Sequence, residues 1–266
     1  MDHCSSPWIT RERTITAMPS SPTRRRLPGA ALAVLLLATA ATGCGGGGSE
    51  AAEQKGAEPK GAPKPLPTTA GEVEARMLTA EEMPGYRVVE ADSWSEPRPP
   101  VGTQAFEPRA CAVIAQPEGG AGANVTYEHD SEPEDLHPRD ITTTLYAKGE
   151  AAGWMAELRE AEERCGTFRS ESSFGDGVHS DRMTWLPEPD AGDEALRVER
   201  VTEAGEETTL HSLTTYVRTG DLVTAFHHKI SYGPALDKDH LATLLPSPDE
   251  DLVDAQIAKL LGDRPA

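Results

Sequence analysis

Between Gly149 and Cys165 the apolar residues Trp154, Leu158, Ala161 and Cys165 recur at steps of four, three and four. That is the period of one helix face, and Glu157, Arg159, Glu160, Glu162, Glu163 and Arg164 fall mostly off it. The spacing therefore predicts a helix with Cys165 facing the core at its end. After it the pattern alternates every second residue, which predicts strands. These run over Phe174 to Val178, His179 to Leu186, Ala195 to Val201, Thr208 to Arg218 and Leu222 to Ile230, with Thr219-Gly220-Asp221 as a tight hairpin turn between the last two.

The first half reads less regularly. Val73 to Met83 predicts a helix in which Thr79 and Glu82 have capping-box spacing, stopped by Pro84-Gly85. Tyr86 to Ala91 reads as a strand, and a Pro-rich passage leads to a helical turn around Cys111, Val113 and Ile114. Val125 to His129 and Ile141 to Ala147 are strand-like, with acidic loop residues between them. At the C-terminus, Ser247-Pro248-Asp249-Glu250 predicts a helix start capped by Ser247, with Val253, Ile257, Leu260 and Leu261 on its buried face. Helices and strands do not alternate as a parallel sheet requires. The expectation is an α+β fold, a single domain with a twisted antiparallel sheet and helices packed mainly on one face.

Ahead of residue 72 the chain carries no core. Arg24, Arg25 and Arg26 precede an apolar stretch from Gly29 to about Thr42, too short to span a bilayer, and the small residues Ala41-Thr42-Gly43 lead into Cys44. This reads as a signal peptide over 1–43, of which 1–17 reads as a mis-annotated extension because Met18 makes the better start. The ending resembles a bacterial lipobox, with Ala41 where leucine is commonest. The resemblance implies cleavage before Cys44 and diacylglyceryl attachment there, hence a lipid anchor on the extracellular side of the cell membrane, with palmitate among its acyl chains. An ordinary cleavable signal is the rival reading. From Gly45 to about Thr69 the chain is Gly, Ala, Pro, Lys and Glu, which cannot bury enough surface to fold and reads as a spacer. The lipidated cysteine and linker thus span 44–71, the domain 72–262 and a tail 263–266.

Charge narrows the partners. Removing the five arginines and two acids before Cys44 from 25 basic and 44 acidic residues leaves a formal charge of −22. That argues against nucleic acid and against adhesion to anionic headgroups. Cys111 and Cys165 are the cysteines left in the domain, and in an exported protein two such residues most simply pair. A metal site would need further ligands at close spacing, and a catalytic cysteine a nearby base.

Candidate chemistry is sparse. His227-His228 would point to opposite faces of a strand, and His211 would sit across the hairpin from one of them, giving a two-histidine metal site at best. Asp130, Glu132, Glu134 and Asp135 gather near His129 and His137 in a loop. Trp94 and Trp185 lie near Pro-rich loops and are the candidate ligand contacts. No metal set, cofactor fingerprint, nucleophile elbow or Walker loop is present.

Several short motifs carry a resemblance over roughly residues 72 to 262. They are Leu78-Thr79-Ala80-Glu81-Glu82-Met83-Pro84-Gly85, Cys111-Ala112, the helix ending in Cys165, Gly192-Asp193-Glu194-Ala195 and Tyr216-Val217-Arg218-Thr219-Gly220-Asp221. With them the chain resembles the actinobacterial sensor-domain lipoproteins, similar to the extracellular domain of a mycobacterial receptor serine/threonine kinase and to small mycobacterial surface lipoproteins. The resemblance implies a central antiparallel sheet and a ligand-binding cleft, without kinase activity in this chain. Family members often carry two disulfides where this chain offers one. The expected function is a non-catalytic ligand-binding or sensing module of the envelope, taking a small-molecule or lipid ligand. The alternatives are an assembly lipoprotein that binds an envelope protein and, behind it, a hydrolase.

Overall fold

The computed structural model describes residues 64–98, 103–114, 119–129, 138–172, 177–205 and 207–262. The leader, Cys44 and the acidic loop residues Asp130, Glu132, Glu134, Asp135 and His137 lie outside them, as do Phe174 to Asp176.

The elements follow the periodicity with corrections at their ends. Strands are β1 (Tyr86–Trp94), β2 (Thr103–Glu107), β3 (Gly122–His129), β4 (Arg139–Leu145), β5 (Thr167–Ser172), β6 (Val178–Leu186), β7 (Glu194–Ala204), β8 (Thr208–Thr219) and β9 (Leu222–Tyr232). Helices are α1 (Ala70–Glu74), α2 (Glu150–Arg164), α3 (Lys238–Leu244) and α4 (Glu250–Leu260). The helix expected over Val73 to Met83 is two pieces. α1 ends at Glu74, and a separate 3-10 turn occupies Ala80–Glu82. The Thr79–Glu82 box is real, since the Glu82 carboxylate accepts from the Thr79 N–H (2.9 Å), but it starts the second piece. Asp249, not Ser247, caps α4: its carboxylate accepts from the Leu252 N–H at 3.1 Å. The strands β2 and β5 and the helix α3 went unread, because each is short and flanks a stronger signal.

All nine strands form one antiparallel sheet in the order β1-β3-β4-β9-β8-β7-β6-β5-β2. β1 and β2 are neighbours in sequence yet stand at opposite edges. Nine steps of chain from Trp94 to Thr103 reach at most about 32 Å, whereas eight strand spacings across a flat sheet would be about 38 Å. The sheet must therefore be strongly coiled.

Both faces are covered. Val73, Met77, Leu78, Leu252, Val253, Ile257 and Leu260 pack on Val125, Tyr127, Ile141, Val217 and Phe226, so α1, the turn Ala80–Glu82 and α4 share a face. On the other, α2 sets Trp154, Met155, Leu158 and Ala161 against Met183, Leu196, Val198, Tyr216 and Val223. The expected α+β architecture with an antiparallel sheet is what the chain forms, but the helices cover both faces rather than mainly one, because α2 packs opposite α1 and α4. Cys111, in the 3-10 turn Arg109–Ile114, is bonded to Cys165 at the end of α2, and both are fully buried. The disulfide pins the excursion that carries β2 onto the α2 side of the sheet.

The start of the domain is stitched to its last helix. Buried Gln256 accepts from the Leu78 N–H (2.9 Å) and donates to the Arg76 carbonyl (2.9 Å), Tyr127 donates to the Leu78 carbonyl, and Lys259 meets both the Met77 carbonyl and Glu82. Just upstream, Leu66 lies against Gly220 in the β8–β9 turn. The chain thus joins the domain at the turn end of the sheet.

Candidate functional site

Two ends of the sheet differ in kind. At the turn end, Gly192 takes φ +62°, a backbone that favours glycine, and a Cβ there would stand 2.5 Å from the Arg218 carbonyl oxygen. That close approach lets the Asp193 carboxylate accept from the Gly220 N–H (2.7 Å) and from Arg218 (3.1 Å). Arg218 also meets Glu194, which is shared with Arg159, and Arg159 reaches Glu188 (2.7 Å). Asp221 accepts from the Gly149 N–H at the start of α2 (2.9 Å). Here the charged motif residues Asp193, Glu194, Arg218 and Asp221 are each committed to a neighbour.

Towards the opposite end lie His129, His179 and His211, each near the far terminus of its strand, while His227 and His228 sit at mid-strand on β9 opposite the first residues of β4. As alternation requires, His227 and His228 take opposite faces. His227 lies on the α2 face, paired with Thr214 on β8 and Asp140 on β4. Its Nδ1 is 2.8 Å from the Thr214 hydroxyl. Asp140 accepts from Thr126 (2.7 Å) and stands 3.5 Å from Lys229. Burial first, then the positive charges of Lys229 and Arg200, push the imidazole down to about 4 against the opposing pull of Asp140. His227 is therefore neutral at physiological pH.

His228 lies on the α4 face, where Arg139 donates to its Nε2 at 2.9 Å. Guanidinium has no acceptor, so that nitrogen carries no proton. Around it Leu213, Thr215 and Phe226 from the sheet meet Ser247, Pro248, Asp249, Leu252 and Val253 at the start of α4, leaving a cleft of ≈ 20 Å³, room for one water molecule. Beside it Arg197, 4 % exposed, donates both terminal nitrogens to Glu250 (2.8 and 2.9 Å).

His211 does not stand across from either histidine. Its partner is Ile230, which sets it diagonal to His228, about 7–8 Å away between Cβ atoms. It is 6 % exposed and its Nε2 is 2.9 Å from Glu199. Glu199 thus engages one ring and a guanidinium the other, so the two imidazoles have different partners.

The tryptophans are not brought together. Both lie on the α2 face, but β1 and β6 are six strands apart, about 29 Å. Trp94 donates to the Gly120 carbonyl (3.1 Å) and carries Arg98 over its ring. Trp185 packs against the α2 core, and its buried N–H meets no acceptor among the described residues.

A buried ionic cluster escaped the sequence reading. Asp181, 2 % exposed, accepts from Ser170 (2.6 Å), Thr202 (2.6 Å) and Arg200 (2.8 Å), and Arg200 lies over Phe168. The signal was available: Asp181 is in phase with Met183 and Trp185 on β6, so a carboxylate falls on the buried face and must be paired.

No family model matches the chain, and no curated protein does. Among solved structures, it is similar to the extracellular domain of PknH from Mycobacterium tuberculosis, with a TM-score of 0.45 and 9% identity over 74% of this chain and 96% of that one. It is also similar to the Rv0999 ortholog of Mycobacterium smegmatis, with a TM-score of 0.37 and 12% identity over 67% and 90%. The chain is thus similar in structure to mycobacterial proteins that include an extracellular domain, as its short motifs imply.

Proposed function

We propose that this chain is an exported lipoprotein, anchored through diacylglyceryl at Cys44, whose domain senses or binds a component of the cell envelope with the histidine-bearing end of its sheet. Three features of the chain support export and anchoring. They are the basic-apolar-cysteine leader, the spacer that follows it, and a disulfide buried in the domain, a bond that persists in oxidising compartments. The observation that carries the choice of end is Leu66 against Gly220. The tether joins at the turn end, where the motif residues are spent on one another, so the opposite end is the one turned outward.

The cleft beside His228 is the candidate ligand site in its closed form. At ≈ 20 Å³ it is far below the roughly 300 Å³ that a small-molecule site needs. The same figure favours the second reading, an assembly lipoprotein that meets an envelope protein through this outward end without enclosing a ligand.

Metabolic labelling with an alkyne fatty acid tests the anchor. The wild-type chain takes up label and stays with the membrane, and Cys44→Ser loses the label and passes to the medium. A Cys44→Ser protein that stays membrane-bound would overturn the lipoprotein reading. Native mass spectrometry of the wild-type protein from its own envelope then separates the two modes. A retained mass of a few hundred daltons supports ligand binding, and a bare chain supports the protein-partner reading.

A further inference from the structure

The outward end holds two adjacent imidazoles, one on each face of β9, and both are set against positive charge. On the α4 face, the Arg139 hydrogen bond needs an unprotonated Nε2 on His228. A proton there would turn an acceptor into a donor facing a guanidinium. On the α2 face, His227 lies beside Lys229 and Arg200. Among the described residues, the groups facing the pair are Arg139 and Asp140 on β4, Leu213, Thr214 and Thr215 on β8, Arg200 on β7, Lys229 on β9, and Ser247 and Asp249 before α4. The carboxylates among them are already engaged, Asp140 by Thr126 and Lys229, Asp249 by the Leu252 N–H. His211 differs in its partner, the Glu199 carboxylate, rather than a guanidinium.

From this geometry we propose that acidification of the external medium releases the outward end of β4 from β9 and opens the cleft between His228 and the start of α4. The Arg139–His228 contact joins the neighbouring strands β4 and β9 in the sheet wall of that cleft, so its loss and the new charge on His227 act on the same strand pair. The cleft walls of Leu213, Phe226, Leu252 and Val253 would then be exposed to a ligand that the closed form does not admit. The inference rests on the reading of this end as a sensing site. It concerns the purified chain alone, so it stands or falls apart from the lipidation test above.

Hydrogen exchange read by mass spectrometry on the full lipidated chain in detergent, at about pH 7.5 and about pH 5.5, measures the opening directly once intrinsic rates are corrected. The expected result is about ten-fold faster exchange in 139–142, 226–230 and 250–253, with 193–196 and 218–223 unchanged. His227→Gln with His228→Gln abolishes the difference, and His211→Gln retains it. Faster exchange spread evenly over both ends, or a response that survives in the double variant, would overturn the proposal. Should the double variant not fold, imidazole resonances of the wild-type chain followed through the same pH range decide. The opening must track the titration of His227 or His228, and tracking of His211 or no opening refutes it.

Discussion

The turn end and the histidine end of one sheet solve opposite problems. At the turn end, Asp193, Glu194, Arg218, Arg159 and Glu188 neutralise one another, and Asp221 holds the start of α2. Each carboxylate there has a guanidinium or a backbone N–H as its partner. At the histidine end, neutral imidazoles rest against Arg139, Lys229 and Arg200, an arrangement that holds only while the protons stay away. The charged motif residues at the turn end therefore build the frame there, whereas Gly85 of another motif lies against His129 at the histidine end.

The largest expected effect is on the frame as a whole. Cys111→Ser with Cys165→Ser removes a cross-link between positions 54 apart, and denaturant unfolding should show a loss of about 4 kcal/mol on the chain-entropy model. A loss well under 1 kcal/mol would mean that the β2 excursion is held by packing alone.

Next comes a pH effect confined to the other end. Folding lowers the pKa of His227 to about 4 from the usual 6.5, so its contribution is complete above about pH 6.5 and is lost as pH falls towards 4. Denaturation midpoints should register up to about 3 kcal/mol over that window. His227→Gln should flatten the difference, and an unchanged slope in that variant would move the effect elsewhere. Gly192→Ala sharpens the comparison from the frame side. Its φ of +62° and the 2.5 Å approach to the Arg218 carbonyl leave no room for a Cβ, so thermal unfolding should show a loss of about 1–3 kcal/mol with no change in pH dependence. Smallest is Arg159→Ala. Its ion pairs with Glu188 and Glu194 are largely exposed, and a change of about 1 kcal/mol or less is expected.

How much of this was legible in the sequence follows from what periodicity measures. α2 and the β8–β9 hairpin were read nearly to the residue, because a long stripe or alternation averages out local exceptions. The disulfide followed from counting the cysteines of a chain read as exported. α1 was merged with the turn Ala80–Glu82 because both share one apolar rhythm, and only the backbone break after Glu74 separates them. Ser247 carries the cap signature, but Asp249 lies closer to the free N–H of Leu252, and the nearer carboxylate takes it. Alternation put His227 and His228 on opposite faces. It did not give the register that sets His211 opposite Ile230, since register depends on turn geometry beyond the strand. The pairing of His228 with Arg139 was out of reach too, because 89 residues separate them and the sequence holds no trace of which strands adjoin.

The central claim is that the domain hangs from its turn end and turns its histidine end outward. With Cys111 paired to Cys165 and, on the proposed reading, Cys44 lipidated, a fluorophore placed on Val178→Cys or Asp190→Cys reports the two ends separately. Val178 is 54% exposed at the start of β6, and Asp190 is exposed in the loop before β7. Energy transfer from each label to acceptors in the bilayer of liposomes carrying the lipidated protein measures which end is nearer. The account predicts stronger transfer from Asp190→Cys; equal transfer, or stronger transfer from Val178→Cys, would contradict it.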